Sequence, residues 1–106
     1  MSKPPSFYAA VRKAHPDLVA AYEALGDAAR AAGPLTPAQA ELTKLALAAG
    51  AGLEGAIHSH ARRALDAGLK PEAIRHVALL AITTLGFPRA MAIRALIEDV
   101  LSKPAR

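Results

Sequence analysis

Two side chains near the middle of this chain have the types and spacing for proton chemistry. Glu41 and His60 stand nineteen residues apart in the segment E-L-T-K-L-A-L-A-A-G-A-G-L-E-G-A-I-H-S-H. An imidazole with an ordinary pKa of about 6.5 titrates near working pH, so His60 is a candidate general acid or base. Glu41 can hold that ring in one tautomer or take its proton. Gly50-Ala51-Gly52 lies between them and breaks the helix that carries Glu41. A tight turn there would lay the next helix antiparallel and bring the two groups within a hydrogen bond or one bridging water. The alternative is structural: a buried Glu–His pair satisfies two polar groups that are costly left alone.

His58 is a different case. It is two residues from His60, so on a helix the two rings point about 200° apart and share no face. It follows Glu54 by four residues, which predicts a surface Glu54–His58 pair. A metal would need a third ligand from elsewhere, such as His76, and no metal site is expected.

The elements that must position these groups all read as helices. Phe7 to Ala14 forms a short lead-in, with residues 1–6 expected to fray. Pro16 suits the first turn of a helix to about Ala32, stopped by Gly33-Pro34. Leu18, Val19, Tyr22, Leu25 and Ala29 give that helix one face expected to be buried. Thr36, Pro37 and Gln39 form a capping-box start for the helix bearing Glu41. The His60 helix runs from about Leu53 to Ala67 and ends at Gly68 in a left-handed cap. Pro71-Glu72 opens a helix to about Thr84, Gly86-Phe87-Pro88 turns the chain, and a last helix ends near Ser102. No alternating strand pattern is present. The expected fold is all-α, a bundle of five or six helices in a single domain spanning residues 1–106.

Composition narrows the function. The chain has 106 residues, 53% of them hydrophobic, yet only 4% are aromatic. Much of the apolar content is alanine, which favours helices that approach closely. So high an apolar content on so small a chain implies that some helical faces are buried between subunits, in a homo-oligomer. The formal charge of +4 is scattered rather than concentrated in a stripe, which argues against nucleic acid. With no cysteine there is no disulfide, thiolate nucleophile or cysteine-based zinc site. The longest apolar run, Val77 to Ile82, is too short to span a membrane, and the N-terminus lacks the apolar run of a signal peptide. A cytoplasmic location is expected.

From about residue 15 to residue 102 the chain resembles the carboxymuconolactone decarboxylase / alkylhydroperoxidase D family. The resemblance rests on Leu35-Thr36-Pro37 before the Glu41 helix, the small-residue run from His60 to Gly68, Glu72-Ala73-Ile74, and the Gly86-Phe87-Pro88 turn, in that order and spacing. The family's peroxidase branch carries the pattern E-x11-C-x2-C-x3-H. Glu41 and His60 fill its acid and base positions, and Leu53 and Ala56 stand where the two cysteines would be. The decarboxylase branch is similar to this chain in lacking the cysteines. It carries an aromatic residue just before the turn, where this chain has Thr83, Thr84 and Leu85.

The resemblance implies an AhpD-like helical bundle assembled as trimers or hexamers. It implies a cofactor-free lyase acting on a small carboxylated lactone or related acid, with His60 as proton donor and Glu41 orienting it. Loss of carbon dioxide into a conjugated lactone is assisted by the ring carbonyl, so no cofactor is required. Such a substrate needs a cation to hold its carboxylates, and arginine suits this. Arg89, in the first turn of the last helix, is the first candidate, followed by Arg62, Arg63 and Arg94. A non-catalytic binding or scaffold member of the family is the rival reading, and Leu53 and Ala56 favour it by making the former redox pocket apolar. A peroxidase comes third, for want of a thiol.

Overall fold

The computed structural model describes residues 6–102. Among them lie six helices and no strand: α1 (Ser6–Ala14), α2 (Pro16–Ala31), α3 (Pro37–Ala51), α4 (Glu54–Asp66), α5 (Pro71–Leu85) and α6 (Phe87–Leu101). The all-α expectation holds, with the upper helix count. Of the segment expected to fray, residues 1–5 lie outside the described residues, and Ser6 already belongs to α1.

Proline placed at the first helical positions starts α2, α5 and α6, where its missing N–H leaves no bond unmade. Two of the stops share one backbone pattern. At the end of α3 the Gly52 N–H donates to the Ala49 carbonyl and the Leu53 N–H to the Ala48 carbonyl, at 3.2 and 3.0 Å. At the end of α4 the Gly68 N–H donates to Leu65 and the Leu69 N–H to Ala64, at 2.9 and 3.1 Å. Each pair closes the last turn of its helix and satisfies carbonyls that have no further turn above them. Gly52 has φ of +71°, in the left-handed region that a residue with a Cβ enters at a cost. The chain therefore breaks at Gly52 alone, and Gly50 stays inside α3.

Residues 37–102 form one compact unit, and residues 6–36 fall in another. In the larger unit α3 packs along α4, α5 packs along α6, and α4 also lies against α6. Leu45, Ile57, Ile74, Ile93 and Ile97 are its fully buried large side chains. Alanines such as Ala61, Ala64, Ala78 and Ala90 are also fully buried and let the helices come close. At the surface Arg75 donates from Nε to Glu98 Oε1 at 2.5 Å and from Nη2 to Oε2 at 3.3 Å, tying α5 to α6. That bond holds the Glu98 carboxyl below the usual carboxylate range.

In the smaller unit α1 and α2 form a helical hairpin. Glu23 accepts from Tyr8 Oη at 2.9 Å and from Arg12 Nη2 at 2.6 Å, and the Arg12 guanidinium sits 5.0 Å from the Tyr8 ring centre. The apolar face expected on α2 is largely uncovered. Val19 is buried, whereas Leu18, Tyr22 and Leu25 are 64%, 66% and 67% exposed. A two-helix hairpin has one seam, so a wide apolar stripe cannot all be covered within it.

Candidate functional site

The site is built from α3 and α4 within the larger unit. The Gly52–Leu53 turn sends α4 back along α3, and helical phasing then decides which faces meet. Leu45, Ala48 and Ala49 of α3 and Ile57, Ala61 and Ala64 of α4 belong to one buried cluster. Glu41 is four residues before Leu45, and His60 is three after Ile57, so both polar groups border the same apolar seam.

Across that seam His60 Nδ1 lies 2.9 Å from Glu41 Oε1. The side chains are 15% and 8% exposed, and among the described residues Glu41 is the one charged side chain that is buried. A carboxylate has only acceptor oxygens, so with Glu41 ionised the bond requires the proton on Nδ1. In neutral His60 the free lone pair then sits on Nε2. Among the described residues no buried side-chain nitrogen or oxygen lacks a partner, and His60 has no protein partner besides Glu41. Nε2 is therefore open to solvent.

Burial pushes the His60 pKa below its ordinary 6.5, because a buried imidazolium loses its hydration. The Glu41 bond and charge oppose that shift, and the positive charges of Lys44 and Arg63 add to it. The resting ring at neutral pH is thus the neutral base, oriented by a buried carboxylate.

The remaining residues singled out from sequence are spread around this pair. Ala56 lies one helical turn before His60 and packs against the core. Leu53 is the residue just before α4, and it is 55% exposed. Arg89 donates from Nη2 to the Gly50 carbonyl at 3.4 Å, against the α3–α4 turn. A Cβ on Gly52 would stand 2.7 Å from that same nitrogen, so the glycine makes room for the guanidinium as well as for the turn. Gly50 is nine residues beyond Glu41, about 13 Å along the helix axis. Arg89 therefore braces the far end of the α3–α4 pair. Arg63 is exposed, one turn beyond His60, while Arg62 is half-buried and Arg94, on α6, is exposed.

His58 departs from its expected partner. It pairs with Asp99 of α6 at 3.0 Å, and the side chains are 32% and 55% exposed. The face of α4 opposite His60 packs on α6, so the partner comes from across the helix interface instead of from Glu54 one turn away. Among the described residues no three His, Asp or Glu side chains are grouped to hold a metal. Lys44 is the residue that sequence reasoning passed over. Its signal was present, since it follows Glu41 by three residues and so lies on the same face.

The helices, the Glu41–His60 pair and the order of the punctuating motifs define one class of protein. The chain belongs to the carboxymuconolactone decarboxylase family, whose sequence profile matches residues 16–99. Neither a curated protein nor a solved structure gives a significant match. The family's cysteine pair is absent, as the chain holds no cysteine. No helix among the described residues is long and apolar enough to cross a membrane.

Proposed function

We propose that residues 1–106 act as one domain of a cofactor-free lyase on a small carboxylated lactone or related acid, with His60 and Glu41 as its proton-transfer pair. The observation that carries this reading is the 2.9 Å bond between a buried carboxylate and His60 Nδ1, which leaves Nε2 open. In the reaction the carbon–carbon bond to the departing carboxylate breaks and carbon dioxide leaves. Its electron pair passes into the conjugated ring carbonyl as an enolate. His60, protonated at Nε2, then donates that proton to the carbanionic carbon, and solvent returns it. Glu41 stabilises the imidazolium while it exists and keeps the ring from turning. Arg89, Arg62, Arg63 and Arg94 are the arginines proposed to hold substrate carboxylates, and among them Arg63, three residues after His60, shares its helix face.

The test is turnover of a carboxylated lactone by the His60→Gln variant. Loss of turnover with an unchanged helical spectrum supports the relay. Unchanged turnover favours the second reading, a non-catalytic binding or scaffold member. The observation behind that alternative is the apolar pair Leu53 and Ala56 at the former cysteine positions. Dithiol-driven peroxide reduction is a third reading, and nothing in the chain can supply its thiolate.

The protein is proposed to work in the cytoplasm as a homo-oligomer, trimer or hexamer. Leu79, Leu80, Leu47 and Phe87 are more than half exposed, and such apolar surface favours association. Light scattering at micromolar concentration is expected to return several times the monomer mass. A monomer there would contradict the assembly.

A further inference from the structure

His60 Nε2 opens to solvent between two cations that the fold has not engaged. Lys44 follows Glu41 by three residues on α3, and Arg63 follows His60 by three on α4. Because α3 and α4 run antiparallel, these equal offsets lie on opposite sides of the Glu41–His60 bond. Lys44 is displaced toward the Gly52 turn and Arg63 away from it, each by about 4.5 Å along its axis. The two backbone positions are therefore separated by about 9 Å along the helices, with His60 between them.

Three other arginines are already committed. Arg12 is held by Glu23, Arg75 by Glu98, and Arg89 by the Gly50 carbonyl. Among the described residues neither Lys44 nor Arg63 makes a side-chain hydrogen bond or ion pair. Both are nonetheless near enough for their charge to act on His60. Lys44 is half-buried, so its ammonium works in a medium that screens less than water does.

We propose that Lys44 and Arg63 form a two-sided carboxylate clamp that straddles His60 Nε2 and sets the specificity of the site for acids with an anionic group at each side of the reacting carbon. This deepens the lyase reading and rests on it for the role of His60. Lys44 supplies a point charge and Arg63 a planar fork that grips two oxygens of one carboxylate. A bound acid also changes His60. Its negative charges cancel the two cations that disfavour the imidazolium, while Glu41 continues to favour it. The charges that act on His60 are those of Glu41, Lys44 and Arg63, all on α3 and α4, and Asp99 of α6 is taken by His58. Binding of the acid therefore draws a proton onto Nε2, where the departing carbon dioxide leaves a carbanion to be protonated. The site protonates its donor only once the substrate has arrived.

The experiment uses succinate as probe and acetate as its one-armed counterpart. Their binding to the intact protein is followed through the side-chain nitrogen resonances of His60. Succinate is expected to bind more tightly than acetate and to raise the His60 pKa. Lys44→Gln and Arg63→Gln are each expected to weaken succinate about tenfold or more, the size of losing a charged hydrogen-bonding partner. Lys44→Arg is expected to restore most of that loss, and Lys70→Gln, remote on the N-terminal side of α5, to change nothing. Lys44→Gln is also expected to raise the His60 pKa of the free protein, which a merely structural lysine would not do. Equal succinate affinity in wild type, Lys44→Gln and Arg63→Gln overturns the clamp, as does a wild type that binds no succinate at tens of millimolar. The two readings separate cleanly, because His60→Gln keeps the clamp. Succinate bound normally by a His60→Gln variant, followed through the backbone amide resonances of Lys44 and Arg63, together with full turnover would refute the relay and leave the clamp standing.

Discussion

His58 and His60 stand two residues apart on one helix, and each meets a carboxylate at nearly the same distance, 3.0 and 2.9 Å. Their surroundings differ far more than their bonds. His58 and Asp99 face water at 32% and 55% exposure, whereas His60 and Glu41 are sunk to 15% and 8%. In water a histidine–carboxylate pair contributes little and is screened by salt. In the α3–α4 seam the same pair orients a ring, keeps it neutral at rest and leaves one nitrogen open. Burial, and the number of uncommitted charges nearby, turn one of two similar pairs into a candidate for chemistry.

The largest expected effect separates the two histidines by activity. His60→Gln is expected to lower turnover by about 10²–10⁴, the usual contribution of a positioned proton donor. His58→Gln is expected to leave turnover within about twofold. Comparable losses in both variants would mean that the helix as a whole, and not the buried pair, carries the activity.

Removing the carboxylates sharpens the contrast in stability. Glu41→Ala leaves the largely buried Nδ1–H without its acceptor and is expected to cost about 1–3 kcal/mol in chemical denaturation. Asp99→Ala is expected to fall within about 0.5 kcal/mol of wild type. Between them comes Gly52→Ala, at about 1–2 kcal/mol, because alanine must adopt φ of +71° and displace Arg89 from the turn. A neutral Gly52→Ala would show that the turn does not hold α3 and α4 in register.

The smallest effect concerns pH. The folded His60 pKa lies below the unfolded value near 6.5, so the unfolded chain binds the extra proton first. Stability tied to His60 is therefore complete above pH 6.5 and is lost as pH falls from there through the folded value. Denaturation midpoints followed from pH 7 to pH 5 are expected to decline more in wild type than in His60→Gln. Parallel declines would remove His60 as their cause.

How much of this was legible in the sequence depends on whether the relevant contact is local or crosses between helices. Gly52 and the phase of Leu45 and Ile57 are local features, and they suffice to bring Glu41 and His60 to one seam. The order of Leu35-Thr36-Pro37, Gly68 and Gly86-Phe87-Pro88 likewise pointed to the family and the all-α fold. The partner of His58 was not legible, because Glu54 lies at helical spacing while Asp99 arrives only once α6 packs on α4. The apolar stripe of α2 read as buried because spacing reveals which residues share a face, not whether another element covers that face. Arg89 ranked first among the arginines by its place in α6, but its engagement with Gly50 depends on the missing Cβ of a residue thirty-seven positions earlier.

The central claim is that Glu41 holds His60 as a neutral ring with its proton on Nδ1 and Nε2 free. Side-chain nitrogen chemical shifts of His60, followed across pH, test it most directly. The account predicts the Nδ1–H tautomer at pH 7 and a midpoint below 6.5. A proton on Nε2 at that pH, or a midpoint above 6.5, would contradict it.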